Sequence, residues 1–508
     1  MGDGSLLIIG VFAALYFMIL VASQMRVYRR QRLGDDAQGP EGAAGRLAEF
    51  FVAGRSVNLP VAVATLGATE IGLITIAYNA QKGFGEGFAA FHIGLAALIG
   101  CLFVGLTGFI VAPLRRSGVL TVAEFYEQRF GRDVRIVGGL IMVLAGVLNM
   151  GLFLKVAALY ILPFLPAGVG GASIEVIMVV LIGVAVAYTA FGGMRAVIVT
   201  DVLQFCLMLF GLIAVAVYLA GVVPVSEAVS TVETLKGAGG FNPVYSEGFG
   251  LDYMFWMVIV AGVASAAIWP TALSRALCIR DEKTTKQAYL VASLLFAGRM
   301  ILPAFLGVLA FAFFARQGAG AVDLVGDAKL VATAQFMAEV LPVWLIGLVV
   351  VVFFASFMST QDGYLFCWSS ILTRDVVGPL LNKGDDEGFQ KRWTRIFIVL
   401  IALYELYWGL FYTGTEDVWD YLAITGSIYF CSGIVLLAGG LYWQGATRLG
   451  AWGALLFGLS ALLAFGPIKE AAGFGAWSEA QIGFFSIGLS LFGFVVGSLI
   501  ERRFAPSS

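Results

Sequence analysis

Thirteen apolar stretches, each long enough to cross a lipid bilayer, constrain the fold of this chain more than any other feature. A helix needs about 20 apolar residues to span the hydrocarbon core. Lipid offers no hydrogen bonds to the backbone, so such stretches fold as helices whose peptide groups pair internally. The sequence therefore predicts an all-α polytopic membrane protein with about thirteen transmembrane helices. The stretches cover residues 5–24, 58–81, 86–113, 136–164, 173–192, 197–222, 251–277, 288–315, 341–372, 394–412, 419–442, 449–468 and 479–500.

Composition excludes several classes of function. Charged residues make up 13% of the chain, against about 25% in soluble domains. We therefore expect the lipid bilayer to be a partner of the chain. A net charge of −2 indicates no nucleic-acid partner. The five cysteines form no CxxC pair and His92 is the only histidine, so we expect neither a disulfide framework nor histidine-rich metal chemistry. We find no serine–histidine pair, metal cluster or acidic dyad, and predict that the chain is not an enzyme.

The basic residues predict the orientation. With the N-terminus outside, 23 of the 31 lysines and arginines fall in cytoplasmic segments and five fall outside. The remaining three, Lys155, Arg275 and Arg299, lie at membrane depth or its edge. This bias predicts a multi-pass protein of the plasma (inner) membrane with a cytoplasmic C-terminus. Asp3 stands where a signal peptide would be basic, so we expect stretch 5–24 to be retained. We expect no fused signalling domain after the last stretch.

Two stretches are interrupted at corresponding positions of a ten-helix core. Gly67 and Gly72 flank the acidic Glu70 in 58–81, and Pro270 interrupts 251–277. A single such interruption is typical of ordinary membrane kinks. A matched pair indicates two inverted repeats of five helices, with a binding site at mid-membrane. The predicted organisation is an extra N-terminal helix (1–25), a cytoplasmic linker (26–57), the first repeat (58–222), an outer loop (223–250), the second repeat (251–442), and two C-terminal helices with a short tail (443–508).

Three hydroxyl residues mark one face of stretch 341–372. Ser356, Ser359 and Thr360 have the helical spacing i, i+3 and i+4. Na⁺ is a hard cation that takes oxygen ligands, so the cluster is a candidate sodium site. The alternative is close helix packing, because small and hydroxyl residues are enriched at membrane helix interfaces.

Ionisable side chains inside the apolar stretches are the next candidates. Arg299 is central in its stretch, where a charge costs at least about 3 kcal/mol, and we favour a functional role for it and for Asp201. For Lys155, Glu405 and Asp420, snorkelling or a structural ion pair is the simpler interpretation.

Three segments resemble the signatures of a known family. FGGMRAVIVTDVLQF (191–205) contains a G-G-x-x-A-V-x-x-T-D-x-x-Q pattern, and FMSTQDGYLFCWSSILTRDV (357–376) an M-S-T…S-S…D-V pattern. WPTALSRALCIRDEKTTKQA (269–288) contains a P-x-x-L-x-R block followed by an aspartate. Together these resemble the sodium:solute symporter family, a group with the LeuT fold that includes carriers of glucose, proline, choline and monocarboxylates. The resemblance covers roughly residues 50–440 and implies Na⁺ as the coupling ion.

The resemblance implies a sodium site between core helices one and eight. Its ligands would be the carbonyl oxygens of Ala64, Gly67 and Ser356 and the hydroxyls of Ser359 and Thr360. We expect the glycine break at Gly67 to free backbone carbonyls for this purpose. Asp201 matches the signature aspartate, beside the sodium exit path or a second cation position.

The resemblance also places candidate substrate contacts. Arg299 falls where the sugar carriers have a lysine that contacts substrate. Ile71 and Ile268 replace polar and tyrosine residues of those carriers, which argues against a sugar. Glu70 is a further candidate, and so is His92, although its position is typical of a packing residue. A guanidinium that binds a carboxylate bidentately favours a small carboxylate or an amino acid.

The sequence thus predicts sodium-coupled import of a small organic solute by alternating access. A proton-coupled carrier of the same fold remains open, because Glu70 and Asp201 are titratable. A transporter-like sensor that acts with a separate signalling partner also remains open. An ion channel would require a repeated pore loop or a charge ring, and the sequence has neither.

Overall fold

The computed structural model describes residues 10–23, 25, 43–165, 174–412 and 417–504. Within these ranges the chain is helical apart from short connections, and one isolated bridge pairs Val57 with Ile279. The all-α prediction is confirmed. The first half contains helices α1 Gly10–Ser23, α2 Ala43–Val52, α3 Leu59–Glu70, α4 Leu73–Glu86, α5 Phe91–Thr107, α6 Val111–Arg116, α7 Val122–Phe130, α8 Arg132–Met150, α9 Phe153–Ile161, α10 Ile174–Val222 and α11 Val225–Lys236.

The second half repeats the pattern of one interrupted helix followed by longer ones. It contains α12 Leu251–Met257, a π-helical turn Val258–Ala264, α13 Ser265–Ala267, α14 Pro270–Cys278, α15 Glu282–Ala315, α16 Gly326–Val340, α17 Val343–Ile371, α18 Gly378–Leu380, α19 Glu387–Phe411, α20 Val418–Tyr442, α21 Arg448–Gly458, α22 Gly466–Ala471 and α23 Glu479–Phe504. By length and composition, the described ranges hold nine helical segments able to cross a membrane and four shorter apolar helices.

The first helix break lies at Gly72, the second of the two glycines named for it, and not at Gly67. Gly67 is inside α3, and its carbonyl oxygen accepts the N–H of Ile71 at 3.0 Å. The interruption is at Ile71 (φ −93°, ψ 59°) and Gly72, whose backbone is extended. The expectation that Gly67 itself breaks the helix is therefore wrong. A single glycine costs a helix only about 1 kcal/mol, which the surrounding packing overrides.

The second break lies where Pro270 predicted it. Pro270 opens α14 as its first residue, where its missing N–H costs no hydrogen bond. Ile268 and Trp269 leave the helical region, and the N–H of Trp269 reaches back to the carbonyl of Ala264 at 2.8 Å. At each break, some backbone N–H and C=O groups therefore lie in the interior of the bundle without a helical hydrogen-bond partner.

Glycines bring helices α4 and α15 into backbone contact. A Cβ atom added to Gly83 would collide with the carbonyl of Ala304, and one added to Gly307 would collide with the carbonyl of Ala80. Such small-residue contacts are how membrane helices approach closely without a hydrophobic driving force between them. They fix the half-helix α4 against the helix that carries Arg299.

Candidate functional site

A cavity of about 100 Å³ lies beside both helix breaks. Residues from α3, α4, α8, α9, α15, α17 and α20 line it, together with the interrupted second helix. Among the described residues that line it, Glu70 and Arg299 are the only ones with charged side chains. The aromatic residues in its wall are Tyr78, Phe153, Trp269, Tyr364, Trp419 and Phe430.

The two charged residues of the cavity form an ion pair. The Arg299 guanidinium donates to a carboxylate oxygen of Glu70, and at 3.0 Å to the Glu70 carbonyl. The helix break leaves this carbonyl without a helical N–H partner, and it also accepts the Thr75 hydroxyl at 3.0 Å. The other terminal nitrogen of Arg299 donates to the Ser265 hydroxyl at 2.7 Å, and the guanidinium carbon lies 4.3 Å from the centroid of the Phe296 ring. Both charged side chains are more than nine-tenths buried. The pair explains how the bundle tolerates two charges at membrane depth.

The predicted sodium residues meet around a second buried carboxylate. Asp201, fully buried on α10, accepts hydrogen bonds from Thr65 at 2.5 Å and from Ser359 at 2.8 Å. Thr360 donates to the backbone carbonyl of Thr69 at 3.2 Å. Helices α3, α10 and α17 are therefore joined at one buried polar cluster.

Ser356 lies one turn before this cluster, and its buried hydroxyl oxygen has no hydrogen-bond partner among the described residues. The other predicted ligands, Ala64 and Gly67, are buried on the facing helix α3.

Arg275 completes the cluster. Its fully buried guanidinium lies 3.6 Å from the carboxylate oxygen of Asp201 that accepts the Thr65 hydroxyl. Gly363 makes room for it, since a Cβ atom there would lie 2.5 Å from a guanidinium nitrogen. In the sequence, Arg275 was recognised as a basic residue at membrane depth or its edge and as the arginine of the P-x-x-L-x-R block, but no partner was assigned to it. Thr65 and Thr69 were not singled out, although two threonines four residues apart in an apolar helix could have indicated a hydrogen-bonding face.

The remaining predicted substrate residues lie away from the cavity wall. Ile71 and Ile268 are buried at the two breaks but do not line the cavity. His92 lies in an aromatic cluster with Phe249 and Tyr253, and its ring nitrogen contacts the carbonyl of Ala89 at 2.7 Å. The structure brings Glu70 and Arg299 together and leaves these three outside the wall.

Three other ionisable residues, for which a structural role was the simpler interpretation, each have a partner. Lys155 lies 3.9 Å from Asp327, Glu405 accepts a hydrogen bond from Gln361, and Asp420 pairs with a lysine described below.

An ion network closes one end of the bundle beyond the cavity. Lys82 on α4 lies 3.1 Å from Asp417 and 2.9 Å from Asp420 at the start of α20, and Lys329 on α16 lies 3.2 Å from Asp417. We call these four residues the outer ion network, after the orientation predicted from the basic residues. Burial opposes ionisation of Asp417, but the two lysines outweigh it and lower the pKa of its carboxyl.

A smaller cavity of about 30 Å³ lies toward the opposite end. Thr121, Pro270, Cys367 and Ser370 are among its lining residues. The central cavity thus lies between the outer ion network and this second cavity, which is called the inner cavity below.

Comparison with known proteins identifies the family. The profile of the sodium:solute symporter family matches residues 50–458, which is most of the chain. The chain belongs to the sodium:solute symporter family. Members named among its relatives are transporters, in agreement with the prediction that it is not an enzyme.

Two curated relatives show how far the similarity extends. The sodium/myo-inositol cotransporter of Mus musculus is 26% identical over 82% of this chain, which spans only 63% of that protein's length. The sodium/proline symporter of Staphylococcus aureus (strain bovine RF122 / ET3-1) is 23% identical, with coverage of 88% of this chain and 84% of the symporter.

Solved structures show that this family member has the LeuT-like fold. A Na⁺-coupled sialic acid symporter in a substrate-bound outward-open state has a TM-score of 0.79, 17% identity, and coverage of 100% of this chain and 99% of the other. Mhp1, a nucleobase-cation-symport-1 family transporter in a closed conformation, has a TM-score of 0.54, 13% identity, and coverage of 90% and 96%.

Proposed function

We propose that this chain is a sodium-coupled symporter that imports a small organic solute by alternating access. The observation that carries the proposal is the buried cluster where α3, α10 and α17 meet. Family membership makes Na⁺ the favoured coupling ion. Na⁺ would be bound between α3 and α17 by the carbonyl oxygens of Ala64, Gly67 and Ser356 and the hydroxyls of Ser359 and Thr360.

The hydrogen bonds of the two hydroxyls support this assignment. A hydroxyl that binds a cation must direct its hydrogen away and its lone pairs toward the ion. Ser359 donates its hydrogen to Asp201, and Thr360 donates to the carbonyl of Thr69. Both oxygens therefore keep their lone pairs for a ligand.

Asp201 would serve the sodium site indirectly. Its carboxylate orients Ser359 and is balanced by Arg275, so it adds little net charge. We place Asp201 beside the sodium exit path, or at a second cation position if Arg275 moves away from its carboxylate.

The solute would occupy the central cavity. Arg299 and Glu70 are the proposed direct contacts, and the pair favours a small carboxylate or amino acid over a sugar. Ile71 and Ile268 would influence solute binding only through the backbone shape of the two helix breaks. His92 would act only from the neighbouring aromatic cluster. In the proposed orientation, the N-terminus and the outer ion network face the outside.

A thermal-shift measurement tests the proposal. The purified full-length chain is melted in Na⁺, K⁺ or choline, with and without candidate solutes. A ligand that binds only the folded state raises the apparent melting temperature. We expect a solute shift that requires Na⁺. A solute shift of equal size in K⁺ would contradict sodium coupling and favour a proton-coupled carrier or a solute sensor.

A further inference from the structure

The charges of the central cavity sum to zero, and each charged group has unused hydrogen-bonding capacity. Glu70 and Arg299 are the only charged side chains among the described residues of the wall. One carboxylate oxygen of Glu70 (Oε1) and the Nε of Arg299 have no hydrogen-bond partner among the described residues, although both atoms are shielded from solvent. The ion pair is therefore only partly satisfied by the protein, which favours a ligand that adds to both groups.

A ligand with one charge would leave the opposite group unbalanced. A monocarboxylate that takes Arg299 draws it from Glu70 and leaves a carboxylate buried without a cation. A simple amine that takes Glu70 leaves the Arg299 guanidinium in the same condition. Breaking a buried pair on one side is strongly unfavourable, because the remaining charge keeps its desolvation cost. A ligand with both charges replaces the pair with two new pairs.

The size of the cavity limits this ligand. Its volume is about 100 Å³. For comparison, a cavity of about 150 Å³ binds benzene. The cavity therefore suits a compact solute, such as a small amino acid or betaine, better than a hexose or an inositol.

The aromatic wall suits a cationic group and an apolar body. Tyr78 and Trp419 pack with ring centroids 4.5 Å apart, and the Trp269 indole N–H donates to the Tyr364 hydroxyl at 3.0 Å. Aromatic faces attract ammonium groups, most strongly when water is excluded. Several polar groups of the wall already have protein partners, and the Thr69 hydroxyl donates to the carbonyl of Thr65 at 2.9 Å. The side-chain amide NH₂ of Asn149, for example, is already used by Leu422 and Thr425.

We propose that the central cavity binds a small zwitterion, whose carboxylate pairs with Arg299 and whose ammonium pairs with Glu70 against the aromatic wall. This inference rests on the proposed transport function and names its substrate class. The zwitterion takes the Glu70–Arg299 ion pair apart and restores charge balance at both ends.

Binding by the unmodified protein tests the proposal. Melting temperatures of the full-length chain are titrated in Na⁺ with L-valine, L-proline and glycine betaine as zwitterions. Isovalerate and cyclopentanecarboxylate serve as anions of matched shape, isobutylamine as the cation and myo-inositol as the polyol. We expect at least one zwitterion to half-saturate at a concentration at least about tenfold below its matched anion, corresponding to about 1.4 kcal/mol. Equal or tighter binding of an anion, the amine or the polyol, or no shift from any zwitterion, would overturn the inference.

The same titrations in K⁺ separate this inference from the proposed function. Zwitterion selectivity that persists equally in K⁺ supports the substrate class and contradicts sodium coupling. A Na⁺-dependent shift produced by the polyol or an anion alone supports symport and overturns the substrate class.

Charge-removing variants give a second readout that a general loss of stability would not mimic. Glu70→Gln should change the preference from zwitterion to monocarboxylate, and Arg299→Gln should change it toward the amine. Glu405→Gln is the matched control, because Glu405 is an equally buried acid outside the cavity, hydrogen-bonded to Gln361. Its preference should remain that of the unmodified chain. A Glu70→Gln protein that folds and still prefers the zwitterion to the same degree would overturn the assignment of Glu70.

Discussion

The outer ion network should hold the outer end of the bundle closed, and Lys82→Met should weaken that closure. Lys82 is only 4% exposed and joins α4 to both carboxylates at the start of α20. In the proposed alternating-access mechanism, α4 and α20 would separate when the cavity opens outward. Methionine keeps most of the length and packing of lysine and removes its charge, so the variant tests the ion pairs alone.

The magnitude follows from the exposure of the partners. Removing one member of a fully buried pair costs about 3–5 kcal/mol. Asp417 and Asp420 are 19% and 23% exposed, so water can solvate them once the lysine is gone. Lys329 continues to pair with Asp417. We therefore expect the closed state to lose about 1–2 kcal/mol, which changes the ratio of closed to open molecules by roughly 5- to 30-fold.

Cys367 provides a natural reporter of the opposite end. Its thiol lines the inner cavity and its side chain is buried. The exposed Cys206 is first replaced by serine so that it does not react. In this background, Lys82→Met should slow maleimide labelling of Cys367, because outward-open molecules close the inner cavity. The labelling rate follows the fraction of closed molecules, so the slowing reaches at most the factor by which the closed-to-open ratio falls.

A matched control separates this effect from a general loss of surface charge. Arg316 pairs with Glu227 at 2.7 Å on the same end of the molecule, but this pair joins α11 to the end of α15 and does not involve α4 or α20. Arg316→Met should leave Cys367 labelling unchanged. Labelling that is equally fast or faster in Lys82→Met would refute the view that the network stabilises outer closure.

Three further predictions concern the sodium cluster and the effect of pH. Ser359→Ala combined with Thr360→Ala should raise the half-saturating Na⁺ concentration for stabilisation by about tenfold or more, whereas Ser356→Ala should not, because only its carbonyl is a proposed ligand. Arg275→Met should lower stability by about 3–5 kcal/mol in denaturation experiments, since it leaves Asp201 buried and unpaired, and adding Asp201→Asn should recover much of that loss. The lowered carboxyl pKa in the outer ion network means that its contribution is complete above the ordinary carboxyl pKa of about 4 and is lost only as the pH falls further. The difference in melting temperature between Lys82→Met and the unmodified chain should therefore stay constant from about pH 6 to 8.

Features encoded locally could be predicted from the sequence. The apolar stretches predicted the all-α membrane fold, and Pro270 predicted the second break, because proline removes a backbone donor wherever it occurs. Of the two glycines named for the first break, Gly72 lies at it and Gly67 does not. A glycine permits a break without requiring one, and here the carbonyl of Gly67 keeps its helical partner Ile71.

Pairings between distant residues could not be predicted. Glu70 and Arg299 were each recognised as candidates, but 229 positions separate them, and only the folded bundle shows that they neutralise each other. No partner was assigned to Arg275, although it balances Asp201. A charge in a membrane helix indicates that a partner exists, while the identity of that partner depends on how the helices pack.

The first helix break offers a physical link between the two proposed ligands. It frees two consecutive carbonyls: that of Thr69 accepts the Thr360 hydroxyl of the sodium cluster, and that of Glu70 accepts Arg299 of the solute cavity. An ion that fixes Thr360 therefore restrains the backbone of the residue next to Glu70, and a solute that draws on Glu70 and Arg299 acts on the same peptide units. Coupling between two ligands is reciprocal in free energy, so the solute should raise the affinity for Na⁺ by the factor by which Na⁺ raises the affinity for the solute. Thr360→Val, which keeps the shape of the side chain and loses its donor, should reduce both factors together, as measured by titrating each ligand at fixed levels of the other. A variant in which one factor falls and the other does not would show that the effects measured are not those of two ligands coupled at this break.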